Sequence, residues 1–223
     1  MKYLSLLLLL FSIQLESSST GPCGEYITED ESNQGECIKI DTDHTDKASL
    51  QRGAKLYFNY CLGCHSLKFA RYNRLAKDLE IPEEIFQQNL IFGDQKMGDL
   101  IEIGMSSKDA KDWFGVPPPD LTLETSLRGE DWVYTYLKSF YIDETRPLGV
   151  NNSVYKNVGM PNVLATLQGR QISVCKELPD IADNGGLKQD PLTGQIINIT
   201  KCGFLEADQP GLMNEEEFDS AIF

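Results

Sequence analysis

Histidine is scarce in this chain: His44 and His65 are the two in 223 residues. A zinc site needs four protein ligands, or three and a water, and histidine is one of its usual donors. So few histidines speak against one. Basic residues are also few, 20 Lys and Arg against 34 Asp and Glu, for a net charge of −14. Such a surface repels nucleic acid and anionic lipid and steers basic partners toward it. Nucleic-acid binding is discarded on that ground. Long apolar runs are missing too, with one exception. After Lys2, the stretch from Tyr3 to Ile13 is dominated by leucine. It is too short to span a bilayer, and it reads as the apolar core of a secretory signal peptide over residues 1–19. Ser17 and Ser19 are the small residues near its end, without a clean Ala-x-Ala pattern. No other segment is apolar enough for a transmembrane helix.

What is present begins with cysteine. Six residues, Cys23, Cys37, Cys61, Cys64, Cys175 and Cys202, suit an exported, oxidising context. Residues 20–44 are polar and read as a loose extension, clipped by Cys23 and Cys37. Of the three pairings open to the four cysteines outside the 61–64 pair, the local ones, Cys23 with Cys37 and Cys175 with Cys202, close the least chain. Residues 45–169 hold the helical signals. Thr45 or Asp46 is an N-cap, and Leu50, Ala54, Tyr57 and Cys61 follow at helical spacing. The basic stretch from Leu67 to Leu79 reads as a solvated helical face. A helix opens after Pro82 with Glu83 and Glu84 in its first turn. Another runs from Glu130 to Phe140, with Val133, Tyr136, Leu137 and Phe140 on one face. Residues 170–212 are loop-like in composition, an insertion holding its own cysteine pair. Residues 213–223 read as the start of an acidic helix capped by Asn214. The fold class expected is mostly α, with loop insertions.

Cys61-Leu-Gly-Cys64-His65 carries the chemistry. C-x-x-C-H is the covalent attachment pattern of haem c. Two thiols at this spacing reach the two vinyl groups of a porphyrin, and the adjacent imidazole turns to the iron. A thioredoxin-like dithiol would place the pair after a strand and at the opening of a helix. Here it closes an amphipathic helix. The iron's second axial position has five claimants: His44, Met97, Met105, Met160 and Met213. Local pattern leaves Met160, in the turn-prone Val158-Gly159-Met160-Pro161, level with Met105.

Four segments resemble the cytochrome c1 family, the haem subunits of quinol–cytochrome c oxidoreductase (bc1) complexes, in its bacterial form. They are Ala48 to His65; Val116-Pro-Pro-Pro-Asp-Leu-Thr122; Arg128-Gly-Glu-Asp-Trp-Val-Tyr-Thr-Tyr-Leu137; and Tyr141 through Arg146-Pro-Leu-Gly-Val-Asn-Asn152 to Gly159-Met-Pro161. The resemblance implies a class I cytochrome c-like helical fold around one covalent haem c, with His65 and Met160 as axial ligands. It implies Arg128 against a haem propionate, Trp132 beside it, and Pro118 and Pro119 walling the crevice. It also implies cytochrome b and a Rieske iron–sulfur protein as partners, and a soluble or tethered cytochrome c as acceptor. Membrane association would come through the complex, at the periplasmic face of the bacterial inner membrane. Residues 213–223 resemble the approach to the family's membrane anchor, which this sequence does not go on to contain.

Overall fold

The computed structural model describes residues 22–27, 35–182 and 185–223. The expected signal segment, 1–19, lies outside the described residues. Helix α1 (Lys47–Leu56) starts where the sequence places it. The Asp46 carboxylate accepts from the Ala48 and Ser49 amides, which have no partner within the helix. The helix widens without a break into a π-helical turn, Tyr57–Cys61, where the Leu62 amide donates to the Tyr57 carbonyl at 2.9 Å.

The chain then departs from expectation. Leu67–Arg71 is a strand, β1, and only Tyr72–Asp78 is helical, α2. β1 pairs with the short β2 (Leu100–Ile101). Between them, α3 (Glu83–Leu90) opens behind Pro82 with its two acids in the first turn. These elements close on one core in which Phe58 of the π turn meets Tyr72 and Phe86, rings 6.0 Å and 5.4 Å away. Full burial of one such ring stabilises the fold by about 1.5–3 kcal/mol.

Helix α4 (Ser107–Phe114) leads through Gly115 to the proline segment. Two short helices, α5 (Glu124–Arg128) and α6 (Glu130–Lys138), meet at Gly129, whose φ of 90° favours glycine. β3 (Phe140–Ile142) and β4 (Val150–Asn152) form a small hairpin. The turn α7 (Ala165–Gln168) delivers the chain into the largest sheet, β5 (Gly169–Pro179) paired antiparallel with β6 (Asn198–Pro210). Helix α8 (Glu215–Ile222) ends the chain, with Asn214 and Glu217 exchanging a reciprocal capping box. It docks through Phe218 on Leu164 and Leu167 and through Asp219 on Lys138, 2.7 Å away.

The mostly α expectation is therefore corrected: 33% of the described residues are helix and 22% strand, the strands pairing in three two-stranded sheets. The largest error is the supposed loop insertion. Its polarity hid a period of two, because one face of the β5–β6 ribbon is largely solvated. Val174 and Phe204 turn inward as cross-strand partners, while Cys175 and Cys202 face each other beside them. Those two cysteines are bridged, as are Cys23 and Cys37. The second departure is the N-terminal extension. Rather than lying loose, Cys23 (0% exposed), Tyr26 and Cys37 pack with Val154 against Trp132 and Tyr136 of α6. Ile38 and Ile40 donate their amides to Thr135 and Asp131 of the same helix.

Candidate functional site

Cys61 ends the π turn, and Cys64 and His65 follow in the next turn of chain, with the His65 amide donating to the Cys61 carbonyl at 2.9 Å. Cys61 and Cys64 are the two unpaired cysteines. Burial pushes the Cys61 thiol up to about 11, with the neighbouring Cys64 adding to the effect. That is the reverse of a dithiol oxidoreductase, whose attacking thiol is lowered. Among the described residues no three His, Cys, Asp or Glu side chains gather as a metal cluster.

His65 is buried, and its Nδ1 lies 2.8 Å from the Pro119 carbonyl. A carbonyl oxygen only accepts, so Nδ1 carries a proton and Nε2 is the nitrogen left to face a ligand. The His65 carbonyl in turn accepts from the Tyr57 hydroxyl at 2.6 Å. The proline segment is tied to the same place by its neighbours. The Leu121 amide donates to the Ser66 carbonyl at 3.0 Å, and the Ile103 amide to Ser66 Oγ at 3.0 Å. Pro118 lines a cavity of about 200 Å³ with Pro117, Ser66, Ile103 and Met105. A wider cleft of about 560 Å³ touches the attachment turn through Leu62 and Gly63, but not His65, Pro118 or Met160.

Met160 approaches from the other end of the chain. The loop before it is built by buried amides. Asn151 Oδ1 accepts from the Asn157 amide, Asn152 Oδ1 from Val154 and Tyr155, and the Asn152 amide group donates to the Tyr136 carbonyl. Arg146 closes the loop by donating to the Asn157 carbonyl. Gly159 then passes so near α4 that a Cβ there would stand 2.7 Å from the Phe114 carbonyl oxygen. Any side chain at this position would push the Met160 loop off the segment that leads to Pro119.

Arg128 lies with its guanidinium 4.3 Å from the Trp132 ring centre and is ion-paired with Glu124. Trp132 stacks on Tyr136, 5.1 Å apart and 9° from parallel, and Tyr136 meets Phe140 edge-on at 5.2 Å. The Tyr136 hydroxyl donates to Met160 Sδ at 3.4 Å. Tyr136 was not among the residues singled out from the sequence. Its helical face was legible, but its partner lies in a distant loop.

The other claimants for the iron fall elsewhere, save one. His44 is exposed and 3.2 Å from Glu130. Met97 packs on the Phe58 core, and Met213 packs beside Leu164 and Phe218. Met105 lines the cavity next to Pro118 and remains Met160's rival by position.

The donor set fits a covalent haem: two unpaired thiols, an imidazole whose Nδ1 is held by a carbonyl, and a thioether on a loop that passes close to Phe114 and Val116, just ahead of the prolines. Residues 38–183 match the family described as Cytochrome C1. Cytochrome c1 of Allochromatium vinosum is 65% identical over 169 residues, covering 71% of this chain and 69% of that protein. The ammonia monooxygenase gamma subunit of Nitrosomonas europaea is 40% identical over 193 residues, covering 85% of this chain and 71% of that protein. Site and likeness together define a haem c protein of electron transport. More particularly, the chain belongs to the cytochrome c1 family and is an electron-transfer haem subunit of that kind.

Proposed function

We propose that this chain is the haem subunit of a cytochrome bc1 complex, accepting electrons from the Rieske iron–sulfur protein and passing them to a soluble or tethered cytochrome c. Cytochrome b and the Rieske protein are its standing partners. Its place is the periplasmic face of the bacterial inner membrane, with membrane association through the complex. Among the described residues no helix is long and apolar enough to cross a membrane.

The haem supplies the one-electron couple. The chain's own residues hold it and set its surroundings. Cys61 and Cys64 would hold it through two thioethers, and His65 and Met160 would bind its iron. Arg128 offers a planar guanidinium to a propionate, a geometry suited to two parallel hydrogen bonds. Trp132 supports it from beneath, and Pro118 and Pro119 form a wall without N–H groups to satisfy. The observation that carries this reading is the Pro119 carbonyl on His65 Nδ1, which fixes the tautomer an iron ligand needs. The acidic surface suits a basic cytochrome c, and docking should weaken as salt rises.

The test is a set of variants. Haem should survive acid–acetone extraction in the wild type and be lost when Cys61 and Cys64 are both changed to Ala. Met160→Leu should keep the haem, admit carbon monoxide and lower the reduction potential, whereas Met105→Leu should do none of the last two. The reverse pattern would overturn the ligand assignment. The Nitrosomonas europaea relative favours a second reading, a monohaem carrier serving another oxidoreductase, because its name attaches that protein to ammonia monooxygenase. Co-purification with cytochrome b decides between them.

A further inference from the structure

Tyr136 puts its hydroxyl on Met160 Sδ, 3.4 Å away, from a ring that has almost no freedom to move. Trp132 covers one face at 5.1 Å, nearly parallel, and Phe140 closes an edge at 5.2 Å. One helical turn of α6 separates Trp132 from Tyr136, so the stack is built into the helix. The Asn152 side chain holds the Tyr136 carbonyl from the Met160 side of the chain. The phenol is thus aimed by two elements, α6 and the loop that carries Met160. A thioether is a weak acceptor, and a buried hydroxyl seeks whatever partner is in reach.

We propose that Tyr136 is a positioning residue that tunes the electron-transfer couple through its hydrogen bond to Met160 Sδ. The inference rests on Met160 being an axial ligand. A donor on the sulfur draws electron density from it. Ferric iron, being the more electron-demanding state, loses more by this than ferrous iron does. The hydrogen bond therefore favours the reduced protein and holds the potential up. It also restrains the sulfur against turning away.

Tyr136→Phe removes the hydroxyl and keeps the ring. In the full-length, haem-loaded chain, poised at one fixed ambient potential, the ferrous-to-ferric ratio should fall at least threefold, equivalent to about 28 mV for one electron. Thermal stability should change little. The methionine methyl proton signal of the reduced protein, shifted far upfield by the porphyrin ring current, should persist in the variant. A ratio within threefold of the wild type, or a rise, overturns the proposal. Met160→Leu separates the two possible failures. Loss of the upfield methyl signal in that variant keeps Met160 as the ligand. Its retention, or its absence from the wild type, removes the ligand assignment and this proposal with it. Should Tyr136→Phe fail to hold haem, the reduced wild type still answers. A nuclear Overhauser contact between the Tyr136 hydroxyl proton and the Met160 methyl supports the hydrogen bond, and its absence overturns it.

Discussion

The two disulfides hold segments of opposite character. Cys23–Cys37 closes a short stretch and is buried against the aromatic face of α6 that ends at Met160. Cys175–Cys202 joins the exposed middle of the β5–β6 ribbon, where paired backbone already holds the strands on either side. Loop closure alone ranks the second bridge higher, about 3.5 against about 3 kcal/mol, because it encloses more chain. Burial reverses that order. A bridge is worth more where its sulfurs also fill a core than where they face water.

The comparison is sharpest in the bridges themselves. Replacing Cys23 and Cys37 by Ser should cost about 4 kcal/mol or more in denaturant unfolding of the haem-loaded protein. The lost restraint is joined by two hydroxyls buried among Tyr26, Val154 and Trp132. Trp132 fluorescence should shift as well. Replacing Cys175 and Cys202 by Ser should cost about 2 kcal/mol, since the outer ribbon can open locally without the core. The reduction potential should not move. An equal or inverted ranking of the two pairs would break the comparison.

A third test asks what else fastens the N-terminal segment. The Asp131 carboxyl is held below its ordinary value, first by its hydrogen bond with Lys39 and then by the Ile40 amide. A depressed carboxylate contributes stability above the ordinary value near 4, and the contribution is lost as pH falls through the lower folded value. The protection of the Ile40 amide from hydrogen exchange, relative to the unfolded-chain rate at the same pH, should therefore fall below about pH 4. Asp131→Asn should remove that pH dependence and cost about 1 kcal/mol. A like fall in protection of the β5–β6 ribbon over the same range would show that the clip is not specific. The smallest effect belongs to the far end of that ribbon. Leu192 is 94% exposed, and Leu192→Ser should change stability by less than about 0.5 kcal/mol.

The same contrast explains what the sequence made legible. Asp46 and Asn214 accept from amides within a turn of themselves, and Pro82 fixes its own φ at the helix entrance, so these helix starts could be read directly. Cys61, Cys64 and His65 are contiguous, and their chemistry needs no fold to be seen. The β5–β6 ribbon was missed because Lys176, Glu177 and Lys201 fill a solvated strand as they would a loop. β1 was missed because the basic residues of 67–71 suit a solvated helix face as well as an edge strand. The N-terminal segment looked loose because its few apolar residues find their partners far along the chain, in α6, the loop after β4 and Leu205 of β6. Tyr136 is the clearest case. Its place on an apolar helix face was plain, yet nothing local could announce a sulfur 24 positions away.

The π-helical turn at Tyr57–Cys61 has a bearing on how this chain tolerates change in length. It holds one residue more per turn than the helix feeding it, and the Asn59 side chain donates to the Lys55 carbonyl within it. If the same five residues ran on in regular α form with none removed, the helix would advance one α-helical step further than the wider turn does. Every residue beyond would then be rotated by about 100° about the axis, the step of one α-helical residue. Phe58 would stay in the core while the thiols and the imidazole turned to a different side. The extra residue acts as a phase setting between the anchoring face of α1 and the direction in which the attachment motif points. Deleting Asn59 should therefore be absorbed by a return to α form with the motif still pointing the same way, whereas a single-residue deletion between Cys61 and His65 should abolish haem attachment.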